Sequence, residues 1–155
     1  MKDKGFTLVE LLVVIAIVLL VFGVSIASFN RFNRRERLRQ AALNLKSVLR
    51  YAQTKAISAE KPTAGCTTFV GMRVSFTLQS YTVTHECTDG LVGTGETTTL
   101  PTGVLFLAVP SPVTFHAITR VTGLSSDQAI MFTNDIESYQ ITIAPNGDIT
   151  DGGFQ

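Results

Sequence analysis

Residues 4–24 read KGFTLVELLVVIAIVLLVFGV. One acid, Glu10, stands six residues after Lys4, and the chain then carries no charge through Phe29. From Leu11 to Phe29 the run is 19 uncharged residues, with only Gly23, Ser25 and Ser28 breaking its apolar character. As a helix it covers about 28 Å, enough to span a bilayer. An ordinary secretion signal has a shorter apolar region followed by a small-residue cleavage site, whereas here the candidate processing site, Gly5-Phe6, lies before the run. Cutting there leaves the helix on the mature chain. Neither an anchor nor a secretion signal needs a carboxylate at its entrance, and an ionisable residue at the edge of a span is a functional candidate by default.

The rest of the 155-residue chain has room for one small domain. Its net charge of +1 conceals a division. Residues 1–61 hold eleven Lys/Arg against four acids, and residues 62–155 hold Arg73 and Arg120 against eight acids. A basic stalk thus precedes an acidic head, and a head of that sign is poorly suited to a phosphate backbone. Lys2 and Lys4 argue for a leader held in the cytoplasm, while Arg31, Arg34, Arg35, Arg37 and Arg39 on the other flank argue the reverse, so the charge rule leaves topology open. Those five arginines suit lipid headgroups, DNA, acidic neighbours in a filament or a solvated collar partly relieved by Glu36 pairing with Arg39.

Beyond the span, Leu38, Ala41, Leu45, Val48, Ala52 and Ala56 recur at steps of three and four, which predicts an amphipathic helix to Ala59 with Pro62 as a stop. Its apolar stripe is expected to pack against the chain's own sheet, and Gly23 is a point where the long helix can bend or melt.

Lys4-Gly5-Phe6-Thr7-Leu8-Val9-Glu10-Leu11-Leu12 resembles the class III signal of type IV pilins and pseudopilins. The resemblance implies cleavage by a prepilin peptidase between Gly5 and Phe6, N-methylation of Phe6, and neutralisation of a neighbouring subunit's N-terminal amine by Glu10. It also implies an orientation, with the leader in the cytoplasm and the head outside the inner membrane. The expected organisation is a leader over 1–5, a transmembrane half-helix over 6–29, an amphipathic half over 30–61 and a β-rich head over 62–155. The expected fold is α+β, a long N-terminal helix packed on an antiparallel sheet. The expected partners are other pilins, the peptidase, the membrane assembly platform and membrane lipid.

After Pro62 the pattern changes to period two with β-branched and aromatic residues. Thr67–Leu78 and Tyr81–Glu86 read as a hairpin, Thr88–Gly103 as a glycine-rich loop, and Val104–Val109, Val113–Val121, Ala129–Thr133 and Tyr139–Ala144 as further strands. Cys66 and Cys87, an even count in a domain expected outside the cytoplasm, read as a disulfide. A hairpin turning at Gln79-Ser80 sets Cys87 opposite Met72, so the bridge is expected to tie the linker after the helix to the sheet.

Catalysis finds no support in the pattern. His85 and His116 are isolated, no nucleophile, base and acid stand in a recognisable order, and no cofactor or metal is expected. Asp148 and Asp151 in PNGDITDGG offer oxygen ligands, but their spacing departs from a calcium-loop signature. Within the family, LRQAALNLKSVLRYAQTKAISAEK is similar to the helix end of the minor pseudopilin H and FimT-type group, and YQITIAPNGDIT resembles that group's closing hairpin in outline. Members that take up DNA carry basic residues after this glycine, where the present chain has Asp148 and Thr150. The expected function is therefore a minor pilin or pseudopilin subunit of a pilus or secretion pseudopilus. A major pilin and a DNA-binding tip pilin are the alternatives.

Overall fold

The computed structural model describes residues 7–155, and side chains throughout that range except for 21–28. The described residues form one helix, α1 (Leu8–Ile57), and eight strands. The strands are β1 (Phe69–Phe76), β2 (Ser80–Cys87), β3 (Gly90–Thr99), β4 (Leu105–Phe106), β5 (Val113–His116), β6 (Gln128–Thr133), β7 (Ser138–Ile143) and β8 (Ile149–Phe154). The chain divides into two compact units, one ending at Glu36 and the other spanning Arg37–Gln155. The fold is α+β and pilin-like, with a helix on antiparallel sheets.

In the first unit α1 starts immediately after Thr7, and Gly23 does not interrupt its span. Every side chain from Leu8 to Leu20 is exposed within the chain. A helix that is apolar all round has no self-contained way to bury its surface.

In the second unit α1 is amphipathic as its spacing predicts. Leu38, Ala41, Ala42, Leu45, Leu49, Ala52 and Ala56 are buried in one core with residues of both sheets. The four alanines let the helix backbone approach the strands closely, while Leu45 and Leu49 fill the space between. The helix closes two residues before the expected Ala59. Glu60 N–H donates to Lys55 C=O and Ala59 N–H to Ala56 C=O, with Ala59 in the left-handed region at φ 48. This is a Schellman termination, in which the chain's turn rather than Pro62 ends the helix.

The head holds two four-stranded antiparallel sheets, ordered β3-β2-β1-β5 and β4-β6-β7-β8. Phe106 joins them. Its ring lies 5.6 Å edge-on from Phe76 of the first sheet and 4.9 Å from Phe132 of the second.

Three sequence expectations need correction. The β1–β2 hairpin is present, but Cys87 pairs with Phe69, and Met72 with His85. The turn lies one residue earlier, at Leu78-Gln79, which slips the pairing by two, because Thr77 N–H donates to Ser80 C=O at 2.8 Å and the Thr77 hydroxyl accepts the amides of Gln79 and Ser80. A slip of two leaves every side chain on its expected face, since the strand period is two. The predicted loop Thr88–Gly103 instead contains β3. Its glycines serve a bulge as well as turns, for Gly93 has φ 87 where the β2–β3 register shifts. Finally, β4 and β5 are shorter than predicted. Pro110 and Pro112 flank the first break, and Ile118 at φ 67 turns the chain so that Thr122 bridges back to Phe115.

Candidate functional site

The start of α1 is set by Thr7, whose hydroxyl accepts the Glu10 backbone N–H at 3.2 Å while its carbonyl accepts Leu11 N–H at 3.2 Å. Thr7 is thus the N-cap, and Glu10 occupies the third helical position, the T-x-x-E spacing of a capping box. This local role was legible in the sequence and the period-based reading passed over it. Glu10 gives its amide to the cap. Its carboxylate takes no part in that bond and lies in the first turn, where the helix dipole favours a negative charge. Gly5 and Phe6, the expected cleavage and methylation positions, lie outside the described residues.

Among the described residues no helix is long and apolar enough to cross a membrane. The described apolar stretch at the start, Leu8–Leu20, is about 20 Å long as a helix, against roughly 30 Å of hydrocarbon. The side chains of 21–28, which belong to the span expected from the sequence, lie outside the described residues.

Arg31, Arg34, Arg35, Arg37 and Arg39 are all exposed along α1. Arg34, Arg35, Glu36 and Arg39 each have an interaction partner, and the Arg39 charge acts on Tyr139 and Asp151 of the second sheet.

Cys66 and Cys87 are bonded, with Cα atoms 5.6 Å apart and a separation of 21 residues. The bridge ties the linker after the helix to the end of β2, as expected. Beside it the Thr67 N–H donates to Asp89 Oδ2 at 2.9 Å, and hydrogen bonding from Thr67 holds the Asp89 carboxyl below its ordinary range. Linker and β2–β3 turn are therefore fastened twice.

His85 and His116 do not converge. His85 stacks at a tilt on Phe69, 6.1 Å away, and His116 pairs with Gly71. Asp148 and Asp151 are likewise claimed by separate partners. Asp148 lies 3.5 Å from Arg50, whereas Asp151 accepts Gly153 N–H at 3.1 Å and a hydrogen bond from Tyr139 that holds its carboxyl low. Among the described residues no group of three or more His, Cys, Asp or Glu could hold a metal ion.

Sequence reasoning also missed a polar clasp between α1 and the β7–β8 turn. Buried Gln53 donates to Gly147 C=O at 2.8 Å and accepts from Arg50 Nη1 at 3.1 Å. Arg50 Nη2 reaches Ile149 C=O at 3.3 Å. A Cβ on Gly147 would stand 1.7 Å from Arg120 O. The available signal was a glutamine bordering the apolar stripe.

The family model for the prokaryotic N-terminal methylation motif matches residues 1–26, so the chain carries a type IV pilin N-methylation motif at its start. The type IV major pilin protein PilA of Myxococcus xanthus (strain DK1622) is 35% identical over 60 residues, covering 39% of this chain and 26% of that relative. The match thus spans about a quarter of the relative's length. No solved structure matches the chain.

Proposed function

We propose that the chain is a filament subunit of the type IV pilin class, cut between Gly5 and Phe6, N-methylated at Phe6, and assembled through α1. The observation that carries this reading is the continuity of the methylation motif over residues 1–26 with a capped helix whose first thirteen side chains are all exposed and, Glu10 apart, apolar. Such a surface requires lipid before assembly and neighbouring helices after it. Glu10 sets axial register by pairing its carboxylate with the N-terminal amine of a neighbour. The disulfide supports a head outside the cytoplasm, where thiols are oxidised. The chain thus resides in the inner membrane with the head outside, meets the peptidase and assembly platform there, and does no catalysis of its own.

Within the class we read a minor pilin or pseudopilin, on the likeness of residues 38–61 to the pseudopilin H and FimT-type group. A major subunit is the second reading, favoured by the relative being a major pilin. Abundance separates them: a minor subunit is a trace component of purified filaments, a major one the bulk of their mass. DNA binding is disfavoured by the eight acids against two arginines over residues 62–155. The assembly claim is tested with Glu10→Ala, which is expected to be inserted and cleaved yet absent from filaments. Normal incorporation would remove the register role.

A further inference from the structure

The first sheet ends at β3, and its residues Glu96 and Thr98 stand opposite Val83 and Tyr81, the core-facing positions of β2. Direct cross-strand partners share a face, so Glu96 points to the side on which the helix lies. Between this edge and α1 runs a groove of about 360 Å3, lined by Ser47, Val48, Tyr51, Val83, Glu96 and Thr98. It presents one carboxylate, the half-exposed Tyr51 ring with its hydroxyl, and the hydroxyls of Ser47 and Thr98. The Glu96 carboxylate has no hydrogen bond or ion pair among the described residues. Of the chain's own nearby cations, Arg50 pairs with Asp148, and Lys55 pairs with Glu60 while its Nζ stands 5.6 Å from the centroid of the Tyr51 ring. An unpaired carboxylate at such a groove suits a guanidinium, whose planar fork of N–H groups donates to both carboxylate oxygens.

We propose that this groove receives an arginine from the 31–39 run of a second copy of the chain. Charge names the occupant. Five arginines fall within nine residues of a stalk that is strongly basic, while the head around Glu96 is acidic. A chain does not fill its own groove, because Arg39, the nearest of the five, precedes Tyr51 by twelve residues, about 18 Å along the helix. The contact is therefore heterologous, stalk to head, and such contacts repeat into a filament rather than closing a dimer. Glu96 thereby fixes the lateral placement of neighbours, a separate task from the axial register assigned to Glu10. The inference rests on the reading of the chain as a filament subunit.

The test is a charge exchange between two full-length chains in detergent micelles or membranes, read by chemical cross-linking of copies. Glu96→Arg alone and Arg34→Glu/Arg35→Glu alone are each expected to associate at least tenfold more weakly than the unaltered chain. An equal mixture is expected to recover association, because each reversed surface then meets its complement. Thr97→Arg, on the opposite face of β3, is the control and is expected to associate normally. Association of Glu96→Arg at the unaltered level, or failure of the mixture to recover, overturns the groove contact. If that result is accompanied by exclusion of Glu10→Ala from filaments, the subunit reading survives and only the groove contact falls. An unaltered chain that never associates overturns both.

Discussion

The Thr7 hydroxyl accepts the Glu10 amide N–H at 3.2 Å, which fixes the first turn of α1 by a bond that does not involve the Glu10 carboxylate. The cap and the charge are therefore separable. Thr7→Val removes the cap and is expected to cost about 1 kcal/mol of helix stability while leaving the charge in place. Glu10→Gln keeps the amide, the side-chain size and the third-position geometry but removes the charge. If amine pairing governs assembly, Glu10→Gln is excluded from filaments as completely as Glu10→Ala, whereas Thr7→Val still enters them. Filament content by immunoblot against the membrane pool distinguishes the two variants.

Gly147 is expected to be among the least replaceable positions of the head. Its φ of 82 lies in the left-handed region, and an added Cβ meets Arg120 O at 1.7 Å. Gly147→Ala should destabilise the head by about 2–4 kcal/mol, through strain and loss of the Gln53 bond together. Gln53→Ala should cost less, about 1–3 kcal/mol, since it leaves carbonyls unpaired without a clash. Thermal unfolding followed by the β-sheet circular dichroism band checks the order of the two.

Reduction of Cys66–Cys87 frees a loop with a separation of 21 residues. In the chain-entropy model this costs about 3 kcal/mol. Cys66→Ser/Cys87→Ser is expected to lower the denaturation midpoint by a corresponding amount without altering α1, because the bridge lies wholly outside the helix. Urea titration with and without reductant measures it, and an unchanged midpoint would show the Thr67–Asp89 bond to be a sufficient fastening.

Asp89 and Asp151 give the head a defined acid limit. Both carboxyls are held below their ordinary values, Asp89 by hydrogen bonding from Thr67 and Asp151 by hydrogen bonding from Tyr139. A depressed folded-state pKa contributes stability that is present above the unfolded value, about 3.9, and is lost as pH falls through the lower folded value. Stability is therefore expected to be insensitive to these groups between pH 7 and 5 and to fall below about pH 4. Asp151→Asn should flatten part of that fall, measured as midpoint temperature against pH.

The sequence was most informative where one period governed one element. The three- and four-residue recurrence of Leu38, Ala41, Leu45, Ala52 and Ala56 located the buried face of α1, because a helix packed on one side admits little else there. The period-two pattern after Pro62 located the β1–β2 hairpin even though its register was two residues off. Less was legible where side chains competed with backbone propensity. Thr77 moved a turn by supplying its own hydroxyl, and Gly90, Gly93 and Gly95 read as a loop although they lie in a strand with a bulge. The division into two sheets follows from long-range pairing that no local period encodes. Of the site, Glu10 stood out by its isolation in an apolar run, whereas the Glu96 groove arises only when β3 is brought beside α1.

The account turns on the chain being processed at the boundary between its leader and α1. The most direct measurement is the N-terminal mass of protein recovered from membranes of cells with an active prepilin peptidase. The account predicts a mature chain beginning at N-methylated Phe6, with its new amine available to the Glu10 of a neighbour. A chain that retains Met1 through Gly5 in those cells would contradict it, and the pairing role of Glu10 would fall with the missing amine.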